Sequence, residues 1–199
     1  IIPKDMIFLS HSWSKTTGGK NIHDIVSRIN NHIKLQEPTW FDEEQIVYDI
    51  DGSIVRGITK CSMFVSFLTK SYIDKVCDAE CNSRVRDNCY KEFSYAQLCK
   101  KPCVAVILEK ELLNVSNWRP GIVKLYLGNK LYIDGTSLKP CEISKKILER
   151  YGKISSPRFI TNRHGNNFSF GFSPKLFCRA KSKKIKVSNP PKIKTMIYI

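Results

Sequence analysis

The chain has 199 residues, of which 42% are hydrophobic, and a formal net charge of +15. This length predicts one domain plus an appendage, because single domains usually contain ~100–150 residues. No apolar run approaches the ~20 residues of a membrane span, and the first residues lack a signal-peptide pattern, so we expect a cytosolic protein.

Strand and helix patterns alternate from Met6 to Tyr151. Short apolar runs predict buried strands, and apolar residues at three- and four-residue steps predict amphipathic helices. The predicted strands are Met6–Leu9, Thr39–Phe41, Met63–Leu68, Cys103–Leu108 and Lys130–Ile133. The predicted helices are Ile22–Ile33 with Asn21 as its cap, Ile54–Ile58, a segment from about Cys89 to Ala96, and Ile143–Tyr151. Between the third strand and Cys89, we predict an irregular polar insertion from Thr69 to Asp87.

This alternation predicts an α/β fold. Repeating strand and helix units favour parallel strands joined by right-handed crossovers. We therefore predict a flavodoxin-like, doubly wound, five-stranded parallel sheet with helices on both faces. The continuous apolar run Met63–Leu68 is typical of a central strand buried on both faces, so Phe64, Val65 and Val106 should be buried.

The basic charge lies mainly at the C-terminal end. No Asp or Glu follows Glu149, whereas residues 150–199 contain twelve Lys and Arg; residues 1–149 contain 21 basic and 18 acidic residues. We predict a domain over residues 1–151 and a basic tail over residues 152–199, partly disordered. The phenylalanines from Phe159 to Phe177 favour docking of part of the tail. Weak polyanion binding is expected from it, with specific nucleic-acid binding as the alternative.

The eight cysteines are interpreted as reduced thiols, because several lie inside apolar runs and we expect a cytosolic location. Cys77, Cys81 and Cys89 are the alternative, as part of a zinc site. No second ligand pair or nearby histidine completes a tetrahedron at a usual spacing. The prediction is therefore that no metal is bound.

Three polar segments should converge at one edge of the sheet, since ligands bind outside the carboxyl ends of parallel strands. They are Ser10–Trp13, Asp42–Glu44 and Asp87–Asn88. With Asn88 as the helix cap, Glu92 is expected near the first helical turn, with its carboxylate at the rim and outside the core. The alternative role for Glu92 is a favourable interaction with the helix dipole. A Ser10–His11–Asp42 relay is disfavoured, and neither a dinucleotide nor a P-loop fingerprint is present.

Motifs in five segments, taken in order, resemble those of TIR (Toll/interleukin-1 receptor) domains over about residues 5–150. They are Met6–Ser12, Trp40–Ile54, Cys61–Tyr72, Asn88–Ala96, and Trp118 together with Leu127–Asp134. The resemblance implies signalling, including in innate immunity, by one of two routes. Some members are adaptors that assemble through homotypic TIR–TIR contacts. Others, once assembled, cleave the nicotinamide–ribose bond of NAD⁺ to give ADP-ribose or a cyclic product.

By position, the resemblance makes Glu92 the catalytic glutamate. It implies a substrate-binding set of Ser10, His11, Ser12, Trp13, Asp42, Tyr48 and Asn88. NAD⁺ would be the substrate, and no cofactor is implied. Asn88 occupies the place where NAD⁺-cleaving members often carry Trp, so Trp13 or Tyr90 would have to supply the stacking surface. We favour NAD⁺ cleavage upon self-association through Asp42–Ser53, with a non-catalytic adaptor as the alternative.

Overall fold

The computed structural model describes residues 5–42, 49–81 and 87–155. These residues belong to one compact unit, Ile1–Ser156. Tyr48 and the predicted tail from residue 156 onward lie outside the described residues. Within the described ranges, no helix is both long and apolar enough to cross a membrane.

The described segments alternate between strands and helices, as the sequence patterns predict. The strands are β1 (Met6–Ser10), β2 (Thr39–Trp40), β3 (Cys61–Leu68), β4 (Cys103–Ile107) and β5 (Ile133–Asp134). The helices are α1 (Ile22–Ile33), α2 (Ile50–Lys60), α3 (Lys70–Cys81), α4 (Asn88–Leu98), α5 (Ile122–Leu127) and α6 (Pro140–Ser155), with 3-10 turns at Lys110–Leu113 and Val115–Asn117. Asn21 caps α1, because its side chain accepts a hydrogen bond from the backbone N–H of His23.

The strands form one parallel sheet in the order β2-β1-β3-β4-β5. This is the flavodoxin-like order, and it confirms the predicted fold class. β3 is hydrogen-bonded to β1 on one side and to β4 on the other. Phe64, Val65 and Val106 are fully buried, as predicted for the centre of the sheet.

Side chains alternate between the two faces of the sheet, and each face carries its own core. Met6 and Phe8 of β1 pack in a cluster with residues of α2, α3, α4 and α5. Ile7 and Leu9 of the same strand pack in a second cluster with residues of α1 and α6. Helices therefore cover both faces, which is the predicted doubly wound arrangement.

The predicted insertion from Thr69 to Asp87 is wrong for most of its length, because α3 occupies Lys70–Cys81. Tyr72, Ile73, Val76 and Cys77 recur at helical spacing and are all buried against the sheet. The many polar residues between them belong to an amphipathic helix. At the other end of the domain, α6 continues to Ser155, four residues beyond Tyr151.

Candidate functional site

A network of hydrogen bonds among buried polar side chains lies at the carboxyl end of β1. Ser10, the last residue of that strand, is fully buried. Its Oγ donates a hydrogen bond to Oε2 of Glu92 at 2.6 Å. The same oxygen is 2.9 Å from the hydroxyl of Tyr72. This network joins β1 to α3 and α4, at the edge of a parallel sheet where ligands normally bind.

Glu92 is buried, with 7% of its surface exposed, so the expectation of a carboxylate at the rim is wrong. The helix is capped by Asp87 and not by Asn88, since the Asp87 side chain accepts from the N–H of Cys89. Glu92 consequently lies beyond the first turn of α4. Cys89, Glu92, Phe93 and Ala96 together form the buried stripe of the helix. The sequence interpretation left Glu92 out of this stripe.

Burial raises the pKa of Glu92 to about 8. The hydrogen bond from Ser10 acts in the opposite direction and lowers it, because a donated hydrogen bond favours the ionised carboxylate. The negative charges of Asp42 and Asp87 act in the same direction as burial and contribute less to the raised pKa. Near neutral pH the carboxyl is therefore mainly protonated, and a positive charge placed beside it would favour its ionisation.

Two histidines, a tryptophan and an aspartate form a second polar cluster just beyond β1. His11 Nε2 and His23 Nδ1 are 2.9 Å apart and share a hydrogen bond. The ring of Trp13 stacks on that of His23, with centroids 3.8 Å apart, and its Nε1 donates to Asp42 Oδ2 at 2.6 Å. Burial lowers the pKa of His11 to about 4, so its imidazole is neutral at physiological pH. We call His11, Trp13, His23 and Asp42 the histidine cluster.

The structure brings most of the sequence-predicted residues together. Ser10 contacts Glu92, Trp13 contacts Asp42, and the Cys89 thiol donates to the backbone oxygen of His11 at 3.5 Å. Ser12 is fully buried, and its Oγ is 2.8 Å from that of Ser14. Asn88, by contrast, is exposed at the start of α4. Tyr48 lies outside the described residues.

One alternative from the sequence differs from the observed connectivity. Ser10 is hydrogen-bonded to Glu92 and Tyr72, and His11 to His23, which is not the order of a Ser10–His11–Asp42 relay. Cys77 and Cys89, two of the cysteines considered for zinc, are buried and form no disulfide. The side chain of Cys81 lies outside the described residues.

Sequence reasoning missed two residues of this region, Tyr72 and His23. Tyr72 was assigned to the polar insertion, although its spacing from Val76 already indicates a helix face. His23 follows the Asn21 cap by two residues, in a helix that was predicted from its apolar residues alone. The signal in both cases was helical periodicity, which places a polar side chain on the buried side of its helix.

No protein-family model matches the sequence, and a search of curated proteins finds no match. Among solved structures, the chain is similar to the TIR domain of the Toll-related receptor TRR-2 from Hydra magnipapillata. The sequence identity is 11% and the TM-score 0.45, over 75% of this chain and 98% of that chain. At this TM-score the similarity bears on neither activity nor residue roles, and the fold class follows from the strand order described above.

Proposed function

We propose that this chain is a cytosolic TIR-domain signalling protein that cleaves the nicotinamide–ribose bond of NAD⁺ when it self-associates. The observation that carries the proposal is the buried carboxyl of Glu92, hydrogen-bonded to Ser10 at the carboxyl end of β1. This is the edge where parallel sheets bind ligands. It is also the position that the sequence resemblance assigns to a catalytic glutamate.

The chemistry requires a group that responds to positive charge on the ribose. When the glycosidic bond breaks, its electron pair leaves with the nicotinamide nitrogen and the ribose carbon becomes oxocarbenium-like. A poorly solvated carboxyl with a pKa of about 8 ionises more readily beside such a cation. The carboxylate then stabilises the transition state electrostatically or by holding the ribose hydroxyls. Attack by water gives ADP-ribose, whereas attack by the adenine ring gives a cyclic product.

Ser10 and Tyr72 support Glu92 in this proposal. Ser10 donates to the carboxylate and is itself within hydrogen-bond distance of the Tyr72 hydroxyl, so the three groups are fixed before substrate arrives. Fixed dipoles contribute more to catalysis than mobile ones, because they need no reorganisation during the reaction.

The proposal also includes a set of substrate-binding residues. Trp13 is 60% exposed and offers a ring face for stacking on the nicotinamide. His11, Ser12 and Asp42 would line the pocket beside it. Tyr48 and Asn88 complete the proposed set, as the resemblance implies.

Self-association is proposed through residues 42–53 and the adjoining helices. Of this segment, Asp49 caps α2 and residues 50–53 form the first turn of that helix, in which Ile50 and Val55 are 46% and 43% exposed. Lys91 of α4 is paired with Asp51, with Nζ and Oδ1 2.6 Å apart, so apolar and charged groups alternate on this surface. Such a surface would make contacts that depend on ionic strength.

The alternative is a non-catalytic adaptor that acts through homotypic contacts alone. Asn88 favours the adaptor, because it is an exposed asparagine at the place where NAD⁺-cleaving members often carry a tryptophan. The two functions predict the same fold and the same assembly. They differ only in whether the assembled protein cleaves NAD⁺.

The deciding experiment is incubation of the concentrated, purified chain with NAD⁺, with nicotinamide release followed by chromatography. We expect release by the wild type and a loss on the order of 10²–10³ in rate for Glu92→Gln, the usual cost of deleting one preorganised electrostatic group. Glu149→Gln is the matched control, because that carboxylate is exposed on α6. An assembled wild type that releases no nicotinamide would support the adaptor.

A further inference from the structure

The geometry of the histidine cluster points to a binding site for a divalent transition-metal ion, and we propose that His11, His23 and Asp42 are its protein ligands. One ligand atom from each residue lies within 4.8 Å of the other two. Two imidazoles and one carboxylate are a donor set that binds Zn²⁺ with a fourth position left open to water. Hard cations such as Mg²⁺ prefer sites made of oxygen ligands.

The spacing of the two imidazoles is close to what such an ion needs. His11 Nε2 and His23 Nδ1 are 2.9 Å apart. With Zn–N bonds of ~2.0–2.1 Å and tetrahedral angles, two ligand nitrogens are about 3.3 Å apart. The two nitrogens therefore need to separate by about half an ångström, and the rings need to rotate so that both lone pairs point at the ion. The histidine that now donates would take its other tautomer, so that both facing nitrogens present a lone pair to the ion.

Neighbouring groups already hold the three ligands in the way that outer-shell residues do in metal sites. The backbone of Leu9 interacts with the His11 ring and acts to raise its pKa. Trp13 stacks on His23 and donates to Asp42 at 2.6 Å. Ligating histidines and carboxylates usually have such second partners, which fix tautomer and orientation.

The burial of the two histidines also favours a specific ion-binding site over weak ion binding at the surface. His11 is 4% and His23 8% exposed, while Asp42 is partly exposed. The ion would thus be held on the protein side by the two histidines and reached from solvent past the aspartate. His11 and Asp42 also belong to the proposed substrate-binding set, but ion binding requires neither Glu92 nor NAD⁺ cleavage.

The test is Zn²⁺ binding to the full chain, measured by competition with a chromophoric chelator. We expect one site whose affinity falls at least about tenfold in His23→Gln and in Asp42→Asn, since outer-shell changes alone usually cost 10–100-fold. Trp13→Phe keeps the stacked ring but loses the N–H, and should weaken binding about tenfold. His32→Gln is the matched control, because that histidine is exposed in the last turn of α1. Circular dichroism of each variant checks that it is folded.

Cobalt replaces zinc in a second measurement that separates this site from the cysteines. Co²⁺ bound to nitrogen and oxygen gives visible bands without the thiolate charge-transfer absorption of cysteine sites. We expect such a spectrum in the wild type and its loss in His23→Gln. The proposal is overturned if His23→Gln and Asp42→Asn, both folded, bind Zn²⁺ as tightly as the wild type. It is equally overturned if the wild type binds no Zn²⁺, or if the bound Co²⁺ has thiolate ligands.

Discussion

Replacing Glu92 with Gln removes a buried ionisable group while keeping its shape. In the folded protein burial raises the pKa of Glu92 from the ordinary value of 4.5 to about 8. A group whose pKa is raised on folding contributes stability that is fully present below its unfolded pKa. That stability is lost as the pH rises through the folded pKa. For Glu92 the loss falls between about pH 4.5 and pH 8.

The size of this loss follows from the two pKa values. One pKa unit corresponds to 1.36 kcal/mol. Ionisation of Glu92 therefore lowers the free energy of unfolding by roughly 5 kcal/mol from acid pH to a pH above 8. Entry of water beside the carboxylate would reduce this cost. Glutamine does not ionise, and the variant should lack this part of the pH dependence.

Urea denaturation followed by circular dichroism at pH 5, 7 and 9 measures the effect. We expect Glu92→Gln to have nearly wild-type stability at pH 5 and to become progressively more stable than the wild type towards pH 9. Glu149→Gln, at an exposed position, corrects for general charge effects. A difference between Glu92→Gln and wild type that is the same at pH 5 and pH 9 would refute the argument. Glu92→Ala should destabilise at pH 5, by about 1–3 kcal/mol, because it leaves buried polar partners unsatisfied, and like Glu92→Gln it should lack the loss of stability towards pH 9. This replaces the small helix-dipole effect expected from the sequence.

Four further predictions concern activity, packing, the tail and assembly. If NAD⁺ cleavage requires ionised Glu92, kcat/KM for nicotinamide release should rise with pH up to about 8. Ser10→Ala should shift this rise to higher pH, because a hydrogen bond to the carboxylate is lost. Gly57→Ala should lower the thermal midpoint, since a Cβ would lie 2.6 Å from the Trp40 ring; we expect a cost of about 1–3 kcal/mol, and an unchanged midpoint would contradict it. Truncation after Ser155 should abolish polyanion binding, measured by salt-dependent retention on heparin, without lowering the thermal midpoint. Light scattering at increasing concentration should show self-association that weakens with salt; a monomer throughout would count against both functions.

Much of the fold was predictable from the sequence because its signals are local. Apolar runs and helical spacing between Met6 and Tyr151 are enough to predict five parallel strands in the flavodoxin-like order, and the structure confirms them. The convergence of Ser10–Trp13 with Asp42 and the start of α4 follows from the same rule, that parallel strands end at one edge of the sheet. The exceptions are α3, where polar residues between Tyr72 and Cys77 concealed a buried face, and the short helix α5, which was not predicted.

The chemical state of the site was decided only by tertiary structure. The sequence places Glu92 beside Phe93 but does not show whether the packing of α4 turns the carboxyl inward, beneath Ser10. The sequence likewise does not show that His23 of α1 meets His11, because their hydrogen bond depends on how α1 docks on the sheet. Burial and charge pairing arise from contacts between distant segments, and they set the pKa values of Glu92 and His11. Periodicity along the chain therefore determines where these residues lie, whereas the packing between elements determines whether they are ionised.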